Sequence, residues 1–139
     1  MKIATLLFSF LICFFSAVAQ NQIIGKWLSE DKQAITEIYE QNGKFFGNIN
    51  WLKKPTDENG EAYKDAANTD KSKRNQPIIG LVVLSDFSFQ NNEWKGGIAY
   101  DPKSGKSFNC KLWLADNNKL KVKGYWGILN YTETWTKVN

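Results

Sequence analysis

In Lys119-Leu120-Lys121-Val122-Lys123-Gly124-Tyr125-Trp126, apolar or small residues at every second position alternate with three lysines and a tyrosine. A period of two marks a half-buried β-strand, with one face on a core and the other in water. Upstream, past the turn residues Asp116-Asn117-Asn118, the same period puts Phe108, Cys110, Leu112 and Leu114 on one face, with Asn109 and Lys111 opposite. Asp101-Pro102-Lys103-Ser104-Gly105 is a strong turn, with proline at its second position and glycine at its end. Before it, a strand over Glu93–Asp101 sets Trp94, Gly96, Ile98 and Tyr100 on one face. Across Asn91-Asn92, the stretch Ile78–Gln90 gives Ile79, Leu81, Val83, Phe87 and Phe89 one parity. Towards the N-terminus, strands are predicted over Ile24–Ser29, Gln33–Gln41 and Lys44–Lys53, the last two joined by the tight hairpin signal Asn42-Gly43. Gly47 within the third marks a bend or a close backbone approach. Ile128–Val138 supplies a final strand.

The chain is therefore all-β, with eight antiparallel strands linked mostly by hairpins. At eight strands a sheet can close on itself around packed side chains or one small ligand, and closure removes the edges that invite aggregation. An open sandwich is the competing arrangement. One segment breaks the pattern: Lys53 to Gln76, 24 residues rich in Asp, Asn, Lys and Glu. Its length and polarity suit a lid over a barrel mouth, and a short helical turn within Asp65–Arg74 is compatible with its composition.

Residues 1–19 have the form of a cleavable signal peptide: Met1-Lys2, an apolar run from Ile3 to Phe15, then Ser16-Ala17-Val18-Ala19. Residues 20–139 are then one exported domain, periplasmic or secreted, with no transmembrane segment expected. Ile12 precedes Cys13 where lipoprotein signals want a small residue. The formal charge of +4 is mild and gives no argument for nucleic acid. There is no histidine, which excludes His general bases, Ser-His-Asp or Cys-His nucleophiles and His-containing zinc sites. With Cys13 in the signal, Cys110 has no partner for an intramolecular disulfide. Stability must then come from the core.

Gly25-x-Trp27 on the first strand resembles the N-terminal signature of lipocalins and other calycin barrels. An ordered set of motifs follows: Gly47-x-Ile49-x-Trp51-Leu52, Pro55-x-Asp57-x-Asn59-Gly60, Asp65-x-x-Asn68, Pro77-Ile78-x-Gly80, Trp94-x-Gly96-Gly97-x-x-Tyr100-Asp101-Pro102-x-x-Gly105-Lys106, Leu120-x-x-x-Gly124-Tyr125-x-Gly127 and Trp135-Thr136-Lys137-Val138. The series is similar to the small exported bacterial proteins catalogued as domain of unknown function 2147, over essentially all of residues 20–139. The resemblance implies a lipocalin-like barrel and supplies no activity. It also implies that Trp27 closes the barrel floor beneath a basic side chain of the last strand, Lys137. Lys137 and Lys123 stand where the family more often has arginine; lysine keeps a cation–π contact but lacks the planar fork.

Six tryptophans and five tyrosines offer two readings. Trp51, Trp94, Tyr100 and Trp126 could line a cavity and stack on a partly hydrophobic molecule, with Asp57 and Asn68 at its mouth. Alternatively the rings fill the barrel, and the protein docks an envelope partner through its loop or the lysine stripe Lys119, Lys121 and Lys123. The expected function is thus a noncatalytic binding protein, with the interaction module as the alternative. No cofactor or metal is expected: Asp57-x-Asn59-Gly60 opens like a calcium loop but lacks the closing acid. Catalysis is a third reading. Glu37 and Glu133 each share parity with apolar or aromatic neighbours, so a desolvated carboxylate is conceivable if both face inward; Thr36 and Ile38, or Thr132 and Thr134, are the competing inward sets. Cys110 reads as a buried hydrophobe.

Overall fold

The computed structural model describes residues 18–139; Cys13 and most of the expected signal segment lie outside the described residues. Eight strands follow in order: β1 (Gly25–Leu28), β2 (Ala34–Gln41), β3 (Lys44–Leu52), β4 (Val82–Gln90), β5 (Glu93–Asp101), β6 (Lys106–Asp116), β7 (Lys119–Trp126) and β8 (Leu129–Val138). Each is antiparallel to the next, and β1 pairs β8 through Trp27 opposite Lys137, so the sheet is a closed barrel. The open sandwich is excluded by that last ladder. No helix among the described residues is long and apolar enough to cross a membrane.

Turn chemistry sets the register. Asn42 and Gly43 both adopt positive φ, as do Asn91 and Asn92, which suits two-residue hairpins whose twist matches their strands. Within strands, positive φ at Asp86 and Gly96 interrupts the ladders, and the register slips between Trp94 and Gly97. Each interruption switches the inward parity. Val83, Leu84 and Phe87 are buried on β4, whereas Ile79 is exposed; on β5, Trp94 is buried and Ala99 packs on the core. The single-face parities predicted for Ile79–Phe89 and Trp94–Tyr100 therefore hold only in part.

The two ends of the barrel differ. At the floor, Ile23, Trp27, Ile38, Phe45, Phe87, Trp94, Leu112 and Leu120 are fully buried. A single 3-10 turn, Asn21–Ile23, caps this end, where the Trp27 indole donates to the Ile23 carbonyl at 2.8 Å. Burying eight such side chains supplies the largest stabilising contribution, about 1.5–3 kcal/mol each before entropy is counted.

At the other end stand the connections β1–β2, β3–β4, β5–β6 and β7–β8. The long β3–β4 segment is pinned rather than loose. It carries isolated bridges at Thr56–Ala62 and Lys64–Pro77 and a 3-10 turn at Lys71–Lys73. It also presses on the β5–β6 turn, where a Cβ at Gly105 would fall 1.9 Å from the Ala67 carbonyl oxygen. The strand predicted from Ile78 begins later, at Val82, although Ile49 and Leu81 already share a backbone hydrogen bond of 2.9 Å.

Candidate functional site

The mouth half of the barrel is hollow. A cavity of about 670 Å3 opens between the strands, girdled by Thr36, Ile49, Leu84, Ala99, Cys110, Val122, Glu133 and Trp135. Its rim comes from Ser29 and Ala34, from Asp101 and Pro102 on the β5–β6 turn, and from Trp126, Leu129 and Tyr131 of the β7–β8 hairpin. The hollow follows from side-chain size: Gly124, Ala99 and Thr36 stand at inward positions where the floor carries tryptophan and phenylalanine. A Cβ built at Gly124 meets nothing within 4 Å. The competing readings of the aromatic residues thus each describe one half of the barrel, filled at the floor and empty at the mouth.

The expected lining residues separate accordingly. Trp94 packs edge-on to Phe45 and tilted on Phe89, with its indole donating to the Gln20 carbonyl at 3.2 Å; it is floor, not lining. Trp51 is also outside the cavity. Ile35 pairs Trp51 while Thr36 pairs Ile49, so a bulge at Asn50 turns the indole out of the inward series Phe45, Gly47, Ile49, and 41% of Trp51 is exposed. Trp126 does reach the cavity, as a rim residue 63% exposed, with the Lys106 ammonium 4.8 Å from its ring. Asp57 is absent from the lining: Oδ1 accepts from the backbone N–H groups of Asn59 and Glu61, an Asx turn closing a small hairpin. At the floor, the Lys137 ammonium lies 5.4 Å from the Trp27 ring, and its Cε lies where a Cβ on Gly25 would make contact.

Tyr100 touches both the cavity and a second, polar cleft of about 700 Å3 beneath the long loop, which Asn68 also lines. Its hydroxyl donates at 2.7 Å to Asp65, a fully buried carboxylate whose other oxygen accepts from the Asn68 amide at 2.7 Å. Desolvation, reinforced by Asp65, pushes the Tyr100 hydroxyl up to about 12. Asp65 thus ties the loop to β5, and Asn68 braces Asp65 from within the loop.

The two carboxylates weighed for catalysis face opposite ways. Thr36 and Ile38 are the buried pair on β2, so Glu37 points outward and accepts from the Asn50 amide at 3.0 Å. Glu133 points inward with Tyr131 and Trp135, and its Oε2 accepts from the Trp135 indole at 2.8 Å. Beside it Cys110 is a buried thiol pushed up to about 12, chiefly by desolvation and further by the Glu133 charge. A thiol so raised is a poor nucleophile. The lysine stripe lies on the outer face, where Lys123 pairs Lys111 across the ladder, Lys121 donates to Thr134, and Lys111 is held by Glu93 at 2.9 Å.

Sequence reasoning missed Leu129, Tyr131 and the role of Gly124. A small residue at an inward position of the best-patterned strand was the available signal for a void.

A closed up-and-down barrel of eight strands, packed at one end and hollow at the other, is the lipocalin arrangement. The structure superposes on protein HP1028 of Helicobacter pylori, described as belonging to the lipocalin family, with a TM-score of 0.74 and 26% identity over 84% of this chain and 83% of that one. The family described as an uncharacterized protein conserved in bacteria, DUF2147, matches residues 25–137, and the chain belongs to it. No curated protein matches.

Proposed function

We propose that the protein is an exported, noncatalytic carrier or sensor of a small, partly hydrophobic molecule held in the mouth half of the barrel. The observation that carries this reading is the cavity of about 670 Å3, within the roughly 300–1,000 Å3 range typical of small-molecule sites. Its walls are chiefly aliphatic and aromatic, while the Glu133 carboxylate provides a polar point of orientation. The lipocalin-like fold supports small-molecule binding in general. Export is supported by the Met1–Ala19 pattern.

The test is native mass spectrometry of the protein purified gently from its own envelope fraction, alongside titration of the purified chain with N-phenyl-1-naphthylamine, a neutral apolar fluorophore. Extra mass lost on denaturation, and probe fluorescence abolished by Gly124→Leu, are expected. A bare mass together with no probe uptake overturns the reading.

A further inference from the structure

The charge inside the barrel has the opposite sign to the charge of the chain. The chain carries a formal +4, yet among the described residues no lysine or arginine lines the cavity, and the only charged lining residues are Asp101 and Glu133. These two differ. Asp101 is spent on its own turn, Oδ1 accepting from the Lys103 N–H and Oδ2 from the Ser104 hydroxyl. Glu133 stands on the inner wall opposite Val122, and one of its oxygens accepts from the Trp135 indole. That bond fixes the carboxylate's direction. Its other oxygen has no hydrogen-bond or salt-bridge partner among the described residues, although it has acceptor capacity to spare.

We infer that the cavity selects an amphiphile whose head is a cationic amine, with the ammonium on the free oxygen of Glu133 and the apolar tail among Ile49, Leu84 and Val122. This deepens the carrier reading and rests on it. An anionic head at the same depth would face Glu133 with no cation to offset it, at a cost that grows with desolvation. The Lys106 ammonium stands outside the lining, 4.8 Å from the rim ring of Trp126, so an acid could pair with it only with its head at the rim. A charge-assisted hydrogen bond in a partly dry site also outweighs a neutral one.

The experiment titrates the full chain at pH 7 with dodecylamine, dodecanol and dodecanoate, each below its micellar concentration, read by calorimetry. The three share a tail and differ in head charge. The amine should bind about tenfold or more tighter than the alcohol, and the acid more weakly than either. Glu133→Gln should remove the amine's advantage over dodecanol, with an unchanged far-UV circular dichroism spectrum verifying that the variant is folded. Should that variant fail to fold, Glu133→Asp serves, with a smaller advantage expected for the amine. Equal binding of all three, or tighter binding of dodecanoate, overturns the amine assignment and leaves the carrier standing. Binding of none of them, in a chain that also excludes N-phenyl-1-naphthylamine, overturns both.

Discussion

The Tyr100 hydroxyl and the Asp65 carboxylate, 2.7 Å apart, fasten the long β3–β4 loop to the barrel wall. Tyr100 belongs to β5 and Asp65 to the loop, so the bond joins a rigid strand to the segment that flanks the mouth. Tyr100→Phe leaves a fully buried carboxylate oxygen without its donor, and should cost about 1–3 kcal/mol. Urea denaturation measures the loss, and limited proteolysis should locate it as faster cleavage between Lys53 and Gln76. Unchanged cleavage there would show that the loop is held by other contacts.

Alkaline pH should destabilise the fold. Both the Tyr100 hydroxyl and the Cys110 thiol are raised in the folded state, to about 12 each from ordinary values of 10.0 and 9.0. Each therefore keeps its proton in the native state over a range where the unfolded chain has already released it. The stabilisation is complete below pH 9 and is lost as pH rises towards about 12. Melting temperatures from pH 8 to pH 11 should fall, and the fall should be shallower in Tyr100→Phe.

Two inward glycines should respond to alanine in opposite senses. At Gly97 a Cβ would sit 2.4 Å from the Phe87 ring, inside the packed half, whereas at Gly124 it meets open space. Gly97→Ala should lose about 1–3 kcal/mol by overpacking. Gly124→Ala should be neutral or gain about 0.5–1 kcal/mol from the lower entropy of the unfolded chain. Thermal unfolding of the two variants side by side checks the contrast.

Cys110 should resist alkylation. It is 4% exposed and its thiol is raised to about 12, so iodoacetamide at pH 8 should label it slowly in the native protein and rapidly in denaturant. Because it lines the cavity, an occupying ligand should slow the reaction further. Rapid native labelling would mean that the barrel wall opens on that side.

The period-two pattern of Leu120, Val122, Gly124 and Trp126, with the Asn42-Gly43 and Asn91-Asn92 signals, was enough to predict eight strands and their antiparallel order. What it could not carry was parity across an interruption. Asn50 is an ordinary residue in sequence, yet the bulge there moves Trp51 from the predicted wall to the outer surface. Gly96 and Asp86 do the same to β5 and β4, where Ala99 rather than Ile98 lines the cavity. A bulge is a response to closure and twist, and those depend on partners far along the chain. The same limit applied to Trp94. Its indole is recognisable as a core ring, but only its height on the barrel distinguishes floor from cavity. For Glu37 and Glu133, inward and outward were undecidable until register was known.

The Trp27–Lys137 pairing has a consequence for how the chain assembles. Consecutive strands from β1 to β8 zip as antiparallel neighbours, across short turns everywhere but the long β3–β4 segment, whereas the β1–β8 ladder joins a four-residue strand to β8 across nearly the whole described sequence. Loop-closure entropy opposes that contact more than any other in the sheet, and contacts of high sequence separation slow folding. The seam should therefore be the last ladder to form. Until it does, β1 and β8 expose unpaired edges beside an incomplete apolar interior, the condition most open to aggregation. A chain lacking Leu129–Val138 has no route out of that state.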